Sequence, residues 1–390
     1  FNPQYSSNWQ AQFTQPLLRN RSIDQNRGTI KLANLDLKLN DSQFKQKVMD
    51  TVARIQGFYW DLIGAIRDYE IRRESVRLAQ ISLDNNRKKV DIGTLAPIAI
   101  TEAQAELASR EVDLIVAEER INTVENSLRN LISSDRNAEI WRQTIVPTET
   151  PEFKEYKVDL EQAISTALAT RPELEQLSLR MEQNDLSYSL GNDRRKWQLD
   201  LVGQFGTVGA AGPQTLVNGI PQVPDSLVGG PLHSYSVMLT EGFYNWFVGV
   251  TIQIPLRNRA VDAQLAQYKV QNRQMLMNRR VLEQQIQTEI RNAVQTIETN
   301  KKRVETARVA RELAREQLEG EEKRFQAGLS ENFRVLDRQR GLSQAQGVEL
   351  QALIAYKKSI IDLQKSMYTL LESNDFEIAK TSSENIANLK

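Results

Sequence analysis

The longest stretch of this chain without a helix breaker runs from Asn20 to Ile92 and ends at Gly93. It contains no proline and only three glycines. In its middle, apolar and aromatic side chains recur at alternating steps of four and three residues, at Val48, Val52, Ile55, Tyr59, Leu62, Ile66 and Tyr69. This heptad spacing predicts a helix, because a strand cannot produce it. A continuous helix of ~70 residues is on the order of 100 Å long, so other helices must pack along it.

The composition argues against most classes of enzyme and against a charge-driven binding protein. Lys+Arg and Asp+Glu both number 50, so the net charge favours neither nucleic acid nor an acidic substrate. Cysteine is absent, which excludes disulfides and thiolate metal sites. The lone histidine, His233, lies in a Gly/Pro-rich segment and is interpreted as a loop residue. Without a clustered acid–base pair or a phosphate-binding loop, the sequence predicts no catalytic residue, no cofactor and no metal site.

Three segments alternate between apolar and polar residues, as strands with two unlike faces do. Trp9, Ala11 and Phe13 share one side of the first segment, and the other two segments span Lys196 to Gly206 and Asn245 to Leu256. No apolar run approaches the ~18 residues of a membrane-spanning helix, so a helical membrane span is excluded. A transmembrane β-barrel is not excluded, because its strands alternate and barely register in hydropathy.

The other elements follow from helix breakers and caps. Gly93 suits the left-handed position after a helix, and Pro97 cannot continue that helix. A second helix from Ile100 to Ile132 would then complete an antiparallel hairpin. The remaining predicted segments are a linker at 134–157, a helix from Val158 to Arg194 broken at Pro172, a loop from Gly206 to Glu241, a helix from Asn258 to Gly328 and a last helix from Phe333 to Leu371.

The chain also carries an internal repeat. Arg19-Asn20-Arg21-Ser22-Ile23-Asp24 matches Arg257-Asn258-Arg259-Ala260-Val261-Asp262, and the turn at Gly93 matches the turn at Gly328. A strand, a long helix, a turn and a shorter helix therefore occur twice. Two copies of this length are typical of a duplicated half rather than of a solenoid.

The repeat divides the chain into a first repeat at 1–157, a second repeat at 158–372 and a polar C-terminal tail at 373–390. The second repeat includes a broken helix and a strand, Val158 to Gly206, whose counterpart would precede Phe1. We therefore expect the first repeat to be N-terminally incomplete, so that a complete chain has four strands.

The order of several short motifs resembles the TolC-type outer-membrane factors, the exit ducts of efflux and type I secretion systems. The motifs that carry this resemblance are Ala163-Ile164-Ser165-Thr166-Ala167-Leu168 leading to Arg171-Pro172-Glu173-Leu174, the strand opening at Arg195-Lys196-Trp197, Phe325-Gln326-Ala327-Gly328-Leu329 with Val335-Leu336-Asp337, and the weaker Ile92-Gly93-Thr94. The resemblance covers essentially all of residues 1–372.

The resemblance implies a mainly α fold with a β part. Long coiled-coil-like helices would form a trimeric periplasmic α-barrel joined to a 12-stranded transmembrane β-barrel. Physical reasoning favours the same assembly, because four strands cannot close a barrel and open strand edges are not tolerated in lipid. The chain would lie in the outer membrane of a Gram-negative-type cell, extend into the periplasm, and work with a periplasmic adaptor protein and an inner-membrane pump. No nucleic-acid partner is expected.

The resemblance also implies roles for the two helical turns. Gly-Thr or Gly-Leu at such turns docks against the adaptor, which here indicates Gly93, Thr94, Gly328 and Leu329. Each glycine can equally serve as a helix cap, and the two roles are compatible.

Acidic residues just past these turns often hold the periplasmic aperture of the family closed. Asp337 fits that pattern, and Glu331 and Arg334 would complete the aperture set. Arg334 and, in the first repeat, Ala99 stand where the family commonly has aspartate. Glu331 and Arg334 are spaced to form an ion pair three residues apart, or to contact another protomer.

For a wide channel, the alternating strands predict which residues face lipid and which face water. The predicted lipid-facing residues are Trp9, Trp197, Leu199, Leu201, Trp246, Val248, Val250 and Ile252. The predicted water-facing residues are Gln198, Asp200, Thr251 and Gln253. The aromatic residues predicted to serve helix packing are Phe58, Tyr59, Trp60 and Tyr69.

The leading hypothesis is thus a passive outer-membrane conduit. A periplasmic adaptor, or membrane fusion protein, also carries a long helical hairpin, but it has one hairpin inserted in a lipoyl-like β domain and lacks a duplicated plan. A soluble coiled-coil scaffold has no use for alternating aromatic strands such as Asn245 to Leu256.

Overall fold

The breaker-free stretch folds as one helix, and so does its counterpart in the second repeat. In this computed structural model, which describes residues 2–241, 243–374 and 376, the helices are α1 (Gln25–Asp91), α2 (Ile98–Ile132), α3 (Leu160–Thr170), α4 (Pro172–Asp193), α5 (Pro231–Thr240), α6 (Arg259–Gln326) and α7 (Asn332–Ser366). The strands are β1 (Tyr5–Pro16), β2 (Gln198–Ala211), β3 (Leu216–Val217), β4 (Ile220–Pro221) and β5 (Tyr244–Gln253). Among the described residues, no helix is both long enough and apolar enough to cross a membrane.

The lengths of the helices agree with the internal repeat. Helix α1 has 67 residues and α6 has 68, while α2 and α7 each have 35. Each long helix follows a strand of the same sheet, β1 in the first repeat and β5 in the second. The predicted order of strand, long helix, turn and shorter helix therefore occurs twice.

The chain divides into two compact units that do not follow the two repeats. The sheet unit comprises Phe1–Lys38 and Leu177–Met277, and the helical unit comprises Leu39–Gln176 and Asn278–Lys390. The divisions fall within α1, α4 and α6, so each unit takes chain from both repeats. Most of the predicted polar tail, 373–390, lies outside the described residues.

The sheet unit contains an antiparallel sheet in the order β1-β2-β5. Strand β2 lies in the centre and pairs with both neighbours along most of its length, so that Phe205 lies opposite Ala11 on one side and Trp246 on the other. Strands β1 and β5 form the two edges. The strand was predicted to begin at Lys196, but β2 begins at Gln198, directly after Trp197.

The segment 206–241, predicted as a loop, is largely structured. Strand β2 continues to Ala211, β3 and β4 pair as a short hairpin, and α5 follows. Pro231 occupies the start of α5, where a missing amide N–H costs nothing. His233, predicted to be a loop residue, lies in the first turn of α5 with its Nε2 2.9 Å from the Ser226 carbonyl oxygen. Glycine and proline are common in turns and loops, and they therefore predicted a loop here. Such local preferences do not include the packing of α5 on β2, which orders the segment.

Helix α5 packs directly on the backbone of β2. The Thr207 hydroxyl donates to the Met238 carbonyl at 2.7 Å, and the Ser7 hydroxyl of β1 donates to the Ser234 carbonyl at 2.8 Å. A Cβ atom added at Gly209 would lie 1.9 Å from the Ser234 carbonyl oxygen. The close approach of helix and strand therefore requires glycine at this position.

The helical unit buries three apolar clusters. The largest joins α3, α6 and α7, and its fully buried members are Ala167, Ile286, Ile290, Tyr356 and Leu363. The second joins α1 to α7 through Met49, Trp60 and Ile354, and the third joins α1 to α2 through Leu62 and Leu128. The heptad residues of α1 from Val48 to Ile66 divide between the last two clusters. The predicted packing role of Phe58, Tyr59 and Trp60 is confirmed, whereas Tyr69 is half-buried and belongs to none of the three.

The Arg171-Pro172 break between α3 and α4 holds the end of α7. Arg171 donates through Nε to the Ser366 carbonyl at 2.7 Å and pairs with Glu289 of α6 at 2.7 Å. The Thr170 hydroxyl donates to the Met367 carbonyl at 2.7 Å. These donors satisfy carbonyls that the end of a helix leaves without partners. The helix was predicted to continue to Leu371, but it ends at Ser366.

We expect the Arg171–Glu289 pair to make stability fall in acid. Burial of the Glu289 carboxyl opposes its ionisation, but hydrogen bonds from Arg171 and Ser366 outweigh burial and lower its pKa below the usual 4.5. A lowered pKa stabilises the fold above that value, and the stabilisation is lost as the pH falls through the pKa of the folded state. Glu289→Gln should therefore lose less stability than the wild type between about pH 7 and about pH 3, measured by urea unfolding. Glu316→Gln, an exposed control on α6, should lose as much stability in acid as the wild type does. An equal loss of stability in acid for all three proteins would contradict this account.

The contact between α5 and β2 predicts opposite tolerance at two glycines of one strand. Gly209→Ala forces α5 away from β2, because the new methyl group meets the backbone of Ser234 and Met238, and such overpacking costs about 1–3 kcal/mol. Gly203→Ala meets no atom within 4 Å. Hydrogen exchange of the α5 amides should accelerate in Gly209→Ala and not in Gly203→Ala. Equal exchange in both variants would show that α5 does not depend on this contact.

Candidate functional site

The three-stranded sheet has two faces of opposite polarity. Cross-strand partners share a face, and the register places Trp9 opposite Thr207, Leu201 opposite Val250, and Leu199 opposite Ile252. The strand residues predicted to face lipid therefore lie on one side, which we call the apolar face: Trp9, Leu199, Leu201, Trp246, Val248, Val250 and Ile252. The alternation read from the sequence thus brings together side chains from both repeats.

The apolar face is exposed. Trp246 is 76% exposed and Val248 is 66% exposed, and Trp197, just before β2, is 56% exposed. Phe205 lies between two aromatic neighbours, with ring centroids 6.2 Å from those of Trp9 and Tyr244. Large apolar surfaces are rarely left exposed on soluble monomers, so a face of this kind indicates contact with a membrane or another molecule.

The opposite face is mainly polar. Asp200 lies opposite Thr251 and Gln198 opposite Gln253, and the Gln198 side-chain amide donates to the Asp200 carboxylate at 2.6 Å. The predicted water-facing residues therefore share one side of the sheet. Phe247, which the sequence analysis did not assign, also lies on this side, opposite Gln204.

The turn at the end of α1 closes a left-handed cap. Gly93 has a φ of 77°. The amide of Thr94 donates to the Lys89 carbonyl at 2.9 Å, and the amide of Gly93 donates to the Val90 carbonyl at 2.9 Å. This pair of hydrogen bonds is a Schellman motif, in which glycine takes the position with positive φ at no steric cost.

The turn at the end of α6 has the same structure. Gly328 has a φ of 71°, the amide of Leu329 donates to the Arg324 carbonyl at 2.9 Å, and the amide of Gly328 donates to the Phe325 carbonyl at 3.1 Å. The ammonium of Lys89 lies 3.8 Å from the centre of the Phe325 ring, so a contact joins the last turns of α1 and α6. The capping role predicted for both glycines is confirmed.

The two turns expose apolar side chains beyond those predicted for docking. Leu329 is 76% exposed, and Gly93, Thr94 and Gly328 are exposed as well. Ile98 and Phe333, which begin α2 and α7 at equivalent distances from the two glycines, are 61% and 63% exposed. The sequence analysis missed this second pair, although their matched spacing after each glycine was visible.

The predicted aperture residues lie on the first turns of α7. Glu331, Arg334 and Asp337 are all exposed. Of the two alternatives for Glu331 and Arg334, an ion pair with each other does not form among the described residues. The Arg334 amide donates to the Glu331 carbonyl at 3.1 Å, a backbone bond that leaves both side-chain charges unpaired with each other. A contact with another protomer stays a prediction.

A buried charged group near these residues was not predicted. Arg110 of α2 is 5% exposed and donates to Glu106 at 2.9 Å, to the Ser75 carbonyl of α1 at 3.0 Å and to the Leu336 carbonyl of α7 at 3.4 Å. Glu106 also pairs with Arg340 of α7. A single arginine thus connects three helices through its fixed fork of donors. Heptad periodicity could not indicate it, because its acceptors come from distant parts of the chain.

Within the part of the chain that the structure describes, no group of His, Asp or Glu side chains is arranged to hold a metal ion. The features on which function can be argued are therefore the two-faced sheet and the helical turns.

Comparisons with known proteins point to outer-membrane channels. Residues 1–134 match the profile of a family described as outer membrane efflux protein. The fold is similar to the CmeC outer membrane channel of Campylobacter jejuni, with a TM-score of 0.71, 15% identity, and coverage of 99% of this chain and 80% of that one. It is also similar to the outer membrane protein VceC of Vibrio cholerae (TM-score 0.69, 14% identity, 93% and 86% coverage) and to the open state of the MtrE outer membrane channel of Neisseria gonorrhoeae (0.68, 14%, 94% and 80%). No curated protein gave a sequence match.

These comparisons confirm the resemblance and the fold class predicted from the sequence. At 14–15% identity the structural likeness establishes the fold, which is mainly helical with a smaller sheet. The matching family and the named channels are described as outer-membrane proteins. The predicted outer-membrane location agrees with these descriptions.

Alanine is predicted to have opposite effects at Gly328, in the turn after α6, and at Gly320, within α6. Gly328→Ala places a side chain at positive φ, which costs about 1–2 kcal/mol. Gly320→Ala lies within the helix with no atom near its Cβ, and should stabilise the protein by about 0.5–1 kcal/mol. Urea unfolding midpoints in detergent should therefore shift down for the first variant and up for the second. Downward shifts of equal size would refute the assigned cap geometry.

Proposed function

We propose that this chain forms the outer-membrane exit duct of a tripartite efflux or type I secretion system. It would passively conduct substrates that an inner-membrane pump and its adaptor deliver, across the periplasm and the outer membrane. The observation that carries this proposal is the sheet, which has one exposed apolar face, one polar face and two open edges. The family match of residues 1–134 and the fold of outer-membrane channels support it.

The polarity of the sheet supports a channel wall. Trp9, Trp246 and Val250 on the apolar face would contact lipid, together with Trp197, Leu199, Leu201, Val248 and Ile252. Gln198, Asp200, Thr251 and Gln253 on the opposite face would line a water-filled lumen. Strands of outer-membrane barrels alternate in this way, with apolar residues outside and polar residues inside. A soluble coiled-coil scaffold gives no reason for an exposed face of tryptophan and valine.

The open edges of the sheet support oligomerisation. Strands β1 and β5 each have one side whose backbone groups lack a strand partner among the described residues. Backbone groups cannot remain unpaired in lipid, so these edges must meet further strands. Three chains that contribute four strands each would close a barrel of twelve, an even number as in outer-membrane barrels. The proposed assembly is therefore a homotrimer.

The helical turns support the docking of a periplasmic adaptor. Gly93, Thr94, Gly328 and Leu329 are exposed on turns of identical hydrogen bonding, as expected for two equivalent positions that meet repeated elements of a partner. The exposed side chains of Ile92, Ile98 and Phe333 extend the apolar surface of these turns. An apolar centre with a polar rim is typical of protein interfaces.

The aperture is proposed to lie next to these turns. Glu331, Arg334 and Asp337 are exposed on α7, and Glu331 and Arg334 form no ion pair with each other among the described residues. Their charges are therefore available to the corresponding residues of neighbouring protomers.

Two adjacent residues of β5 test the assignment of the faces. Val250→Arg puts a charge on the proposed lipid side, where it costs about 2–4 kcal/mol at the bilayer midplane. Thr251→Arg puts the same side chain on the proposed lumen side. Val250→Arg should reduce the heat-resistant oligomer recovered from outer membranes, whereas Thr251→Arg should preserve it and change single-channel conductance. Equal assembly of both variants, or the reverse order, would refute the proposed faces.

A further inference from the structure

Helix α5 exposes a stripe of large apolar side chains. Ser234 and Val237 are buried against the sheet, while Leu232, Tyr235 and Leu239 point away from it with exposures of 83%, 56% and 77%. These three residues follow one another at steps of three and four, so they form a single stripe along the helix. Helix α5 therefore has large apolar side chains on its outward side as well as on the side that packs against the sheet.

Helix α5 packs on the apolar face of the sheet. Its contacts on β1 and β2 are Ser7, Thr207 and Gly209. The alternation of the strands places these residues on the same side as Trp9 and Phe205. The outward stripe of α5 thus lies on the side of the sheet that carries the exposed tryptophans, over the last residues of β2.

The segment around α5 is almost without charge. From Gly206 to Glu241 the sequence contains no lysine or arginine, and its acidic residues are Asp225 and Glu241. The hairpin of β3 and β4 also exposes apolar side chains, with Leu216 62% exposed and Ile220 63% exposed. Charged residues make up 26% of the whole chain, so this segment differs from the rest of the surface.

From these features we propose that α5 is an interfacial helix, whose stripe of Leu232, Tyr235 and Leu239 contacts lipid acyl chains on the outside of the sheet. The inference rests on the proposed function, because it takes the apolar face to be the membrane side. A helix is suited to this position because it satisfies its backbone hydrogen bonds internally. Tyrosine is favoured at the boundary between acyl chains and headgroups, where its ring lies in lipid and its hydroxyl in water.

Lipid explains the stripe better than another protein chain does. The stripe lies beside the apolar face, because the Met238 carbonyl, next to Leu239, accepts from Thr207, whose partner on β5 is Tyr244. It also has no lysine or arginine nearby in sequence with which to pair a protein partner. The acyl region of a bilayer offers apolar contact and no charged partner, as it does to the outward apolar band of a membrane barrel.

The absence of cysteine allows a direct test with single spin labels. Leu239→Cys reports on the stripe, Val250→Cys reports on the apolar face, and Asp225→Cys serves as an aqueous control. Each full-length protein is labelled with a nitroxide and reconstituted into vesicles of phosphatidylethanolamine and phosphatidylglycerol. The accessibility of each label to oxygen, which partitions into lipid, is compared with its accessibility to a water-soluble nickel chelate.

The inference predicts a ratio of oxygen to nickel accessibility several-fold higher at 239 and 250 than at 225. A lipid signal at 250 with an aqueous signal at 239 would overturn the inference and leave the proposed function intact. An aqueous signal at 250 would count against the proposed function itself. A label at 239 shielded from both reagents would show that another copy of the chain covers α5, which also overturns the inference. If Leu239→Cys does not fold, Leu232→Cys tests the same stripe, because this residue also points away from the sheet.

Discussion

The pairing of β2 with both β1 and β5 is the interaction on which the rest of the account depends. It joins a strand of the first repeat to two strands of the second, and its register decides which side chains share a face. A shift of one residue would move Trp246 and Val250 to the side of Asp200 and mix the two polarities. The same pairing leaves β1 and β5 as edges, and open edges are what make a single chain incomplete as a membrane structure.

The helical unit contains the same arrangement of a long helix, a glycine turn and a shorter helix twice. Two long helices end in identical glycine caps, and each is followed by a shorter helix of 35 residues. The joints between these elements are polar: Arg171 holds the end of α7, and Arg110 connects α1, α2 and α7 near the start of α7. Each guanidinium binds acceptors on two other helices, and hydrogen bonds from a charged donor are among the strongest that a protein makes.

Local patterns were enough to predict the long helices, the glycine turns and the two faces of the strands, because periodicity and capping are properties of adjacent residues. They failed where distant residues decide the structure. Glycine and proline in 206–241 predicted a loop, but Gly209 provides the space in which α5 packs. Helix α7 ends earlier than predicted because Arg171 and Thr170 bind the carbonyls at its end. The buried hydrogen bonds of Arg110 have no local sequence pattern that would predict them. The proposed docking and aperture residues are exposed as expected, and their roles remain predictions.

The central claim is that several copies of this chain close one membrane channel, and the most direct test is the mass of the detergent-purified protein together with its circular dichroism. The account predicts a particle of three chains with a mainly helical spectrum and a smaller, heat-resistant β component. A monomer that is soluble without detergent and shows no β signal would contradict it, since such a protein would have no use for an exposed face of Trp9, Trp246 and Val250.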